Sequence, residues 1–224
     1  PIKLYEELVR MHREEGLSFK NVVSFNLDEY LPMPKESEQS YHYFMHHHLF
    51  DHIDIDPKNI HIPDGTLKAE EIENFCKEYE RQIEAAGGID IQVLGIGRTG
   101  HIGFNEPGSP LTSKTRMVYL DDLTIKDAAG DFGGMENVPS RAITMGVGTI
   151  MKARKVILLA WGEKKASIIK ATVEGSVSDA VPATFLQVHP NVQFVIDESA
   201  AEELTRANQP WLVSKVQWND KLIR

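Results

Sequence analysis

The chain has 224 residues, of which 42% are hydrophobic and 25% charged, with a formal net charge of -9. This is ordinary globular composition, and its simplest organisation is one domain over residues 1–204 followed by an extension over residues 205–224. The acid excess argues against nucleic acid or an anionic membrane as a partner, because both recruit lysine and arginine. The lone Cys76 can close no internal disulfide, and no apolar run approaches the ~18 residues of a membrane span, so a reducing, cytoplasmic setting is expected.

The chain opens Pro1-Ile2-Lys3 with no initiator methionine and no signal-peptide pattern, so further residues are expected before Pro1. Leu4, Leu8 and Met11, with Tyr5 and Val9 beside them, recur at helical spacing and predict a helix stopping near Gly16. A strand-like run follows at Val22-Val23-Ser24-Phe25. A second helix is expected from about Glu70 to Ala86, broken by Gly87-Gly88, and then a buried strand from Ile89 to Leu94 that ends in Gly95-Ile96-Gly97. Asn105 to Asn137 carries several glycines and prolines, reads as the longest irregular stretch, and is a candidate lid. Then come a strand from Val156 to Trp161, a helix from about Lys164 to Val173 and a strand from Val192 to Ile196. The end, with Pro210 to Val213 and Val216-Gln217-Trp218, is too apolar for a frayed tail and is expected to meet a further domain or a partner surface. Alternating helices and continuous apolar strands predict an α/β fold: three layers, α/β/α, around a mainly parallel, Rossmann-like sheet.

In such folds ligands gather beyond the carboxyl ends of the strands, and three of those ends are chemically unusual. The first is Asn26-Leu27-Asp28-Glu29-Tyr30. A carboxylate there can act as a general base next to a carbonyl, although on this motif alone loop solvation or a helix cap is the simpler explanation. The second is the run from Gly95 to Pro107, which contains Gly97, Arg98, Thr99, His101 and Glu106. Its glycines fit G-x-G-x-x-G, and Asp121 lies near the distance of a ribose-binding acid, but Pro107, Gly108 and Pro110 leave no room for the full helix a dinucleotide requires. What remains is a glycine-lined turn presenting His101, which can give and take a proton at neutral pH, together with Glu106. The third is Trp161-Gly162-Glu163-Lys164-Lys165-Ala166, where lysines in a first helical turn oppose the macrodipole unless an anion binds there. The alternative is two solvated surface lysines. His46-His47-His48 on one helix would point in different directions, and Asp54, Asp56 and Asn59 lack the pattern of a calcium loop, so no metal is expected.

Taken together, the Asn26 to Tyr30 motif, Ser40-Tyr41, Gly95 to Pro107, Ala142 to Thr149 and Gly162 to Ala166 resemble the glucosamine-6-phosphate deaminase family, in order over nearly the whole chain. The specific part is the His101 segment ending Phe104-Asn105-Glu106-Pro107. The sister 6-phosphogluconolactonases share the fold and a glycine-histidine turn without that continuation, and supply the alternative activity. A noncatalytic sugar-phosphate sensor is a second alternative. The resemblance implies that Asp28 moves a proton between C2 and C1 of glucosamine 6-phosphate, that His101 with Glu106 opens the ring, that Tyr41 lines the pocket, and that Lys165 grips the phosphate. It implies no cofactor and leaves homo-oligomerisation open. Three departures stand out: the family's phosphate loop would lie before Pro1, Thr99 stands where many members carry aspartate, and no arginine occupies the lid near Gly130. Glu106 or another acid is expected to replace the first carboxylate, and Arg98 is a candidate for the lost positive charge.

Overall fold

The structure is a computed structural model that describes residues 1–205. Helix α1 spans Ile2–Glu15 and ends at Gly16. Strand β1 is only Ser24–Phe25, because Val22 and Val23 are 40% and 41% exposed and pair with nothing in the sheet. Asn26 and Leu27 separate it from β2 (Asp28–Leu31), so Asp28 both follows β1, as expected, and opens the next strand. Helix α2 covers Tyr41–His48 and β3 covers Ile60–His61. Helix α3, Ala69–Ala85, buries Ile72, Cys76, Tyr79, Glu80 and Ile83, a single stripe at spacings of three to four residues, as expected for one face of a helix. It ends before Gly87-Gly88, whose positive φ angles no helix continues.

Strand β4 (Ile91–Leu94) runs into the glycine turn. The stretch expected to be irregular instead contains β5 (Arg116–Tyr119) and α4 (Asp122–Ala128), besides a short 3-10 turn at Met135–Asn137. Asp121 starts α4: its carboxylate accepts from Leu123 N at 2.8 Å, a helix cap and not a ribose ligand. Next come β6 (Arg141–Thr144), α5 (Val147–Ile150) and β7 (Lys155–Ala160). The helix expected from Lys164 begins as a 3-10 turn at Glu163–Lys165, and α6 proper is Ala166–Glu174. Strand β8 (Val192–Ile196) matches its expected bounds, and α7 is Glu198–Ala201. The aromatic segment from Pro210 to Trp218 lies outside the described residues.

These elements form the three-layer α/β/α arrangement. Hydrogen bonding groups the strands into a parallel set β4-β7-β8, a short parallel pair β1-β3 and a separate antiparallel set β2-β6-β5. The antiparallel pairing sets Asp28 opposite Thr144 and Tyr30 opposite Ala142. The main core lies under β4 and β7, where Ile102, Met145, Val156, Leu158 and Ile169 are fully buried. Each such side chain contributes about 1.5–3 kcal/mol by leaving water. A smaller cluster, centred on Val9, Phe19, Met45, Leu49, Phe50 and Ile55, fastens α1 and α2 to one end.

Candidate active site

The carboxyl end of β4 leads into residues 95–105, a turn too tight for most side chains. A Cβ on Gly97 would lie 2.1–2.5 Å from ring atoms of His101, so only glycine lets the backbone pass against the imidazole. Gly103 has φ 58°, and a Cβ there would meet Thr144 Oγ1 at 2.9 Å and Asp28 Oδ2 at 3.2 Å. The turn is therefore pressed against the antiparallel sheet at the position of Asp28. Its attachment is polar: Phe104 N donates to Thr144 Oγ1 at 3.0 Å, and the fully buried Asn105 donates to both Ile102 O and Met145 O at 2.8 Å. Arg116 of β5 closes the other side, donating to Asn105 Oδ1 at 2.9 Å and Ser109 Oγ at 3.0 Å.

His101 and Glu106 meet in this frame. His101 Nδ1 stands 3.1 Å from Glu106 Oε2, with only 16% and 12% of the two side chains exposed. An ionised carboxylate only accepts, so this contact places a proton on Nδ1. Thr99 Oγ1 lies 2.9 Å from the same nitrogen and donates to Glu106 Oε2 at 3.0 Å. Thr124 of α4, which sequence reasoning missed, donates to Glu106 Oε1 at 2.6 Å, and Asp121 N approaches that oxygen at 3.4 Å. Burial pushes the Glu106 carboxyl upward, but hydrogen bonding and charge from His101, with the hydroxyls of Thr124 and Thr99, outweigh it and hold its pKa below the usual glutamate value. A carboxylate thus lies against His101 although Thr99 supplies none. No local pattern could have revealed Thr124, which is buried on a helix the sequence did not show.

Asp28 receives the opposite treatment. Burial pushes its pKa up to about 8, and the charge of Glu29 beside it adds to the rise. The Tyr41 ring stacks on Tyr30 with centroids 5.5 Å apart, and Phe104 lies 6.2 Å from Tyr41 and 6.3 Å from His101. Through Phe104 and Gly103 the base motif, the tyrosine and the histidine turn share one aromatic-walled neighbourhood. Glu29 itself fulfils the cap expectation, since it accepts from the first amides of α2.

Lys165 follows β7 and is partly buried, with Nζ donating to Ile96 O at 2.7 Å; Lys164 beside it is exposed. Burial lowers the Lys165 pKa, while Asp127 favours its charge and Arg98 opposes it, which brings these three ions into one group. Arg98 is not free, because its Nε donates to Asp127 Oδ2 at 2.8 Å and a second nitrogen pairs with Oδ1. The N-terminus of α6 next to Lys165 has no side-chain cap. Of the histidines of α2, His46 meets Asp51, His47 stacks on Tyr43 and His48 leans on Phe44, but His47 and His48 do not point apart as expected, their rings meeting edge-on at 4.8 Å. A groove of about 680 Å³ between α3 and β5 contains none of Asp28, His101, Glu106 and Lys165, so the site is placed by its chemistry and not by concavity.

The family described as glucosamine-6-phosphate isomerases/6-phosphogluconolactonase matches residues 1–195. A glucosamine-6-phosphate deaminase-like protein of Bacteroides thetaiotaomicron is 53% identical over the whole chain, which spans 34% of that protein's length. A glucosamine-6-phosphate deaminase of Thermoanaerobacter pseudethanolicus is 49% identical over 201 residues, covering 90% of this chain and 79% of the relative. Among solved structures, a monomeric glucosamine-6-phosphate deaminase superposes with a TM-score of 0.87 at 40% identity, covering 91% of this chain and 83% of that one. The 6-phosphogluconolactonase of Trypanosoma brucei reaches a TM-score of 0.67 at 21% identity over 91% of this chain and 80% of its own, a likeness of fold.

Proposed function

The chain belongs to the glucosamine-6-phosphate isomerase/6-phosphogluconolactonase family, and from that premise we propose that it is a deaminase, converting glucosamine 6-phosphate and water to fructose 6-phosphate and ammonia. The observation that carries this choice is a pair of carboxyls shifted in opposite directions beside one glycine turn: Glu106 lowered and bonded to His101, Asp28 raised and close to Gly103. An isomerisation followed by deamination needs both kinds of group, whereas lactone hydrolysis needs no base that removes a carbon-bound proton.

In this mechanism His101, kept in one tautomer by Glu106, transfers the proton of the C1 hydroxyl to the ring oxygen and opens the pyranose. Asp28 then takes the proton from C2 while the C2 ammonium gives one of its own to O1, and Asp28 returns its proton to C1, which moves the double bond from C1–O to C2–N. Water adds to the resulting imine carbon and ammonia departs, leaving the ketose. Each step is a proton transfer or an addition of water, and none calls for an electron carrier. Substrate helps prepare the base: an ammonium group on C2 beside Asp28 favours its ionised form and offsets the effect of burial.

The phosphate is assigned to Lys165, on the 3-10 turn that opens α6. Arg98 supplies a second cation from the glycine turn, in place of a lid arginine, and would exchange Asp127 for phosphate oxygens when substrate arrives. Tyr41 and the backbone at Gly97 and Thr99 complete the walls. Ammonia release measured in step with fructose 6-phosphate tests this reading. Hydrolysis of 6-phosphogluconolactone instead would favour the lactonase, and binding of glucosamine 6-phosphate without ammonia would make the chain a sensor.

A further inference from the structure

Glu29 is 2% exposed, yet none of the steps above uses it. Its Oε1 accepts from Tyr30 N at 3.0 Å and Tyr41 N at 3.1 Å, and its Oε2 from Ser40 Oγ at 2.8 Å and His42 N at 3.0 Å. Burial holds the Glu29 carboxyl above the usual glutamate range, and the four donors converging on it work against that rise and favour its ionised form, because a protonated acid would set its own hydrogen against one of them. Two of the donors are the opening amides of α2, and a third, Ser40, is also that helix's N-cap. A short, buried carboxylate link therefore joins the strand that carries Asp28 to the helix that carries Tyr41.

We propose that Glu29 is a positioning residue for the deaminase reaction: without touching substrate, it locks the first turn of α2 onto β2 and so holds the Tyr41 ring beside Asp28. The proposal rests on the deaminase reading, in which Asp28 is the base. It gives the acidic pair of the motif two separate tasks, proton transfer for Asp28 and alignment for Glu29. A second effect follows from the charge. Among the groups facing Asp28, Tyr30 on β2, Tyr41 on α2 and Tyr79 on α3 are neutral phenols held above their ordinary pKa by burial. Gly103 and Thr144 carry no charge, which leaves Glu29 as the acid that opposes ionisation of Asp28. Its negative charge makes Asp28 a stronger base.

The test is ammonia release from glucosamine 6-phosphate across pH for the wild type, Glu29→Gln, Glu29→Asp and Ser40→Ala, each checked for a cooperative melt. Glutamine keeps an oxygen for the Tyr30 and Tyr41 amides but turns an NH2 toward His42 N–H. For Glu29→Gln we expect a Michaelis constant raised roughly three- to tenfold. The acid limb of kcat/KM should move to lower pH by about half a unit to one unit, because Asp28 loses a like-charged neighbour. Ser40→Ala and Glu29→Asp keep the charge, so they should raise the Michaelis constant and leave the limb in place. If glutamine prevents folding, the aspartate variant carries the test: a displaced limb there overturns the proposal. An unmoved limb in a folded Glu29→Gln, or an equal displacement in Ser40→Ala, overturns it as well. A wild-type chain that releases no ammonia overturns the deaminase reading and this proposal together, whereas an active wild type with an unmoved limb overturns this proposal alone.

Discussion

Strand β2 and the glycine turn after β4 each bring a carboxylate to the same neighbourhood and do opposite things to it. Around Glu106 the turn and α4 gather hydroxyls and an imidazole, so the acid stays ionised although it is largely buried. Around Asp28 there are aromatic rings, a glycine and a second acid, so ionisation is costly. The residue types are nearly interchangeable; the donors within reach are not. Two carboxyls whose environments drive their pKa values apart mark out which is positioned to work as a base and which to hold a charge beside histidine.

The largest expected effect comes from breaking the β2 side. Asp28→Asn should cut ammonia release by roughly 10³-fold, and deuterium should no longer enter the sugar from heavy water; wild-type exchange rates would remove Asp28 from the proton transfer. The same variant should melt at a higher temperature than the wild type at alkaline pH. Asp28 is raised from an unfolded value near 4 to about 8, so the folded state binds the extra proton between those limits and loses that advantage as pH rises through about 8. The gap between the two melting temperatures should therefore be widest above pH 8 and close toward pH 4.

Breaking the other side should cost less. Glu106→Gln should lower kcat by about 10²-fold, since the imidazole loses both its orientation and its counter-charge. An unchanged rate and pH profile would dissolve the His101–Glu106 partnership. Removing Lys165 with Ala should mainly raise the Michaelis constant, by the ~10- to 100-fold that a charge-assisted hydrogen bond of about 1.5–3 kcal/mol represents; a constant that does not move would place the phosphate elsewhere. Thr99→Val and Thr124→Val, compared in the same assay, sharpen the contrast. Each leaves Glu106 with other donors, so each should cost only a few-fold in rate, with Thr124 the more damaging because its bond is the shorter.

Much of the scaffold was legible because it follows local rules. The run Val192-Gln193-Phe194-Val195-Ile196 is β8 as read, and the α1 and α3 stripes stop where Gly16 and Gly87 stop them. The expected strand at Val22 fell short because Val22 and Val23 lie where no partner strand covers them. Residues 105–137 were misread as loop since β5 and α4 are too short for periodicity to register and are held by the sheet edge and by Glu106.

The sequence by itself determined the α/β class, the histidine turn and the ionisable residues at the strand ends, because glycine spacing, strand ends and ionisable side chains are local properties; their link to a sugar phosphate came from the resemblance of those motifs to a family. Only the tertiary structure decided that Glu106 stands beside His101, that Thr124 joins it from 18 residues beyond Glu106, that Arg98 is paired with Asp127, and that Glu29 is bonded to the start of α2. Those outcomes depend on desolvation and on donors brought from other elements, and neither quantity exists until the chain has folded.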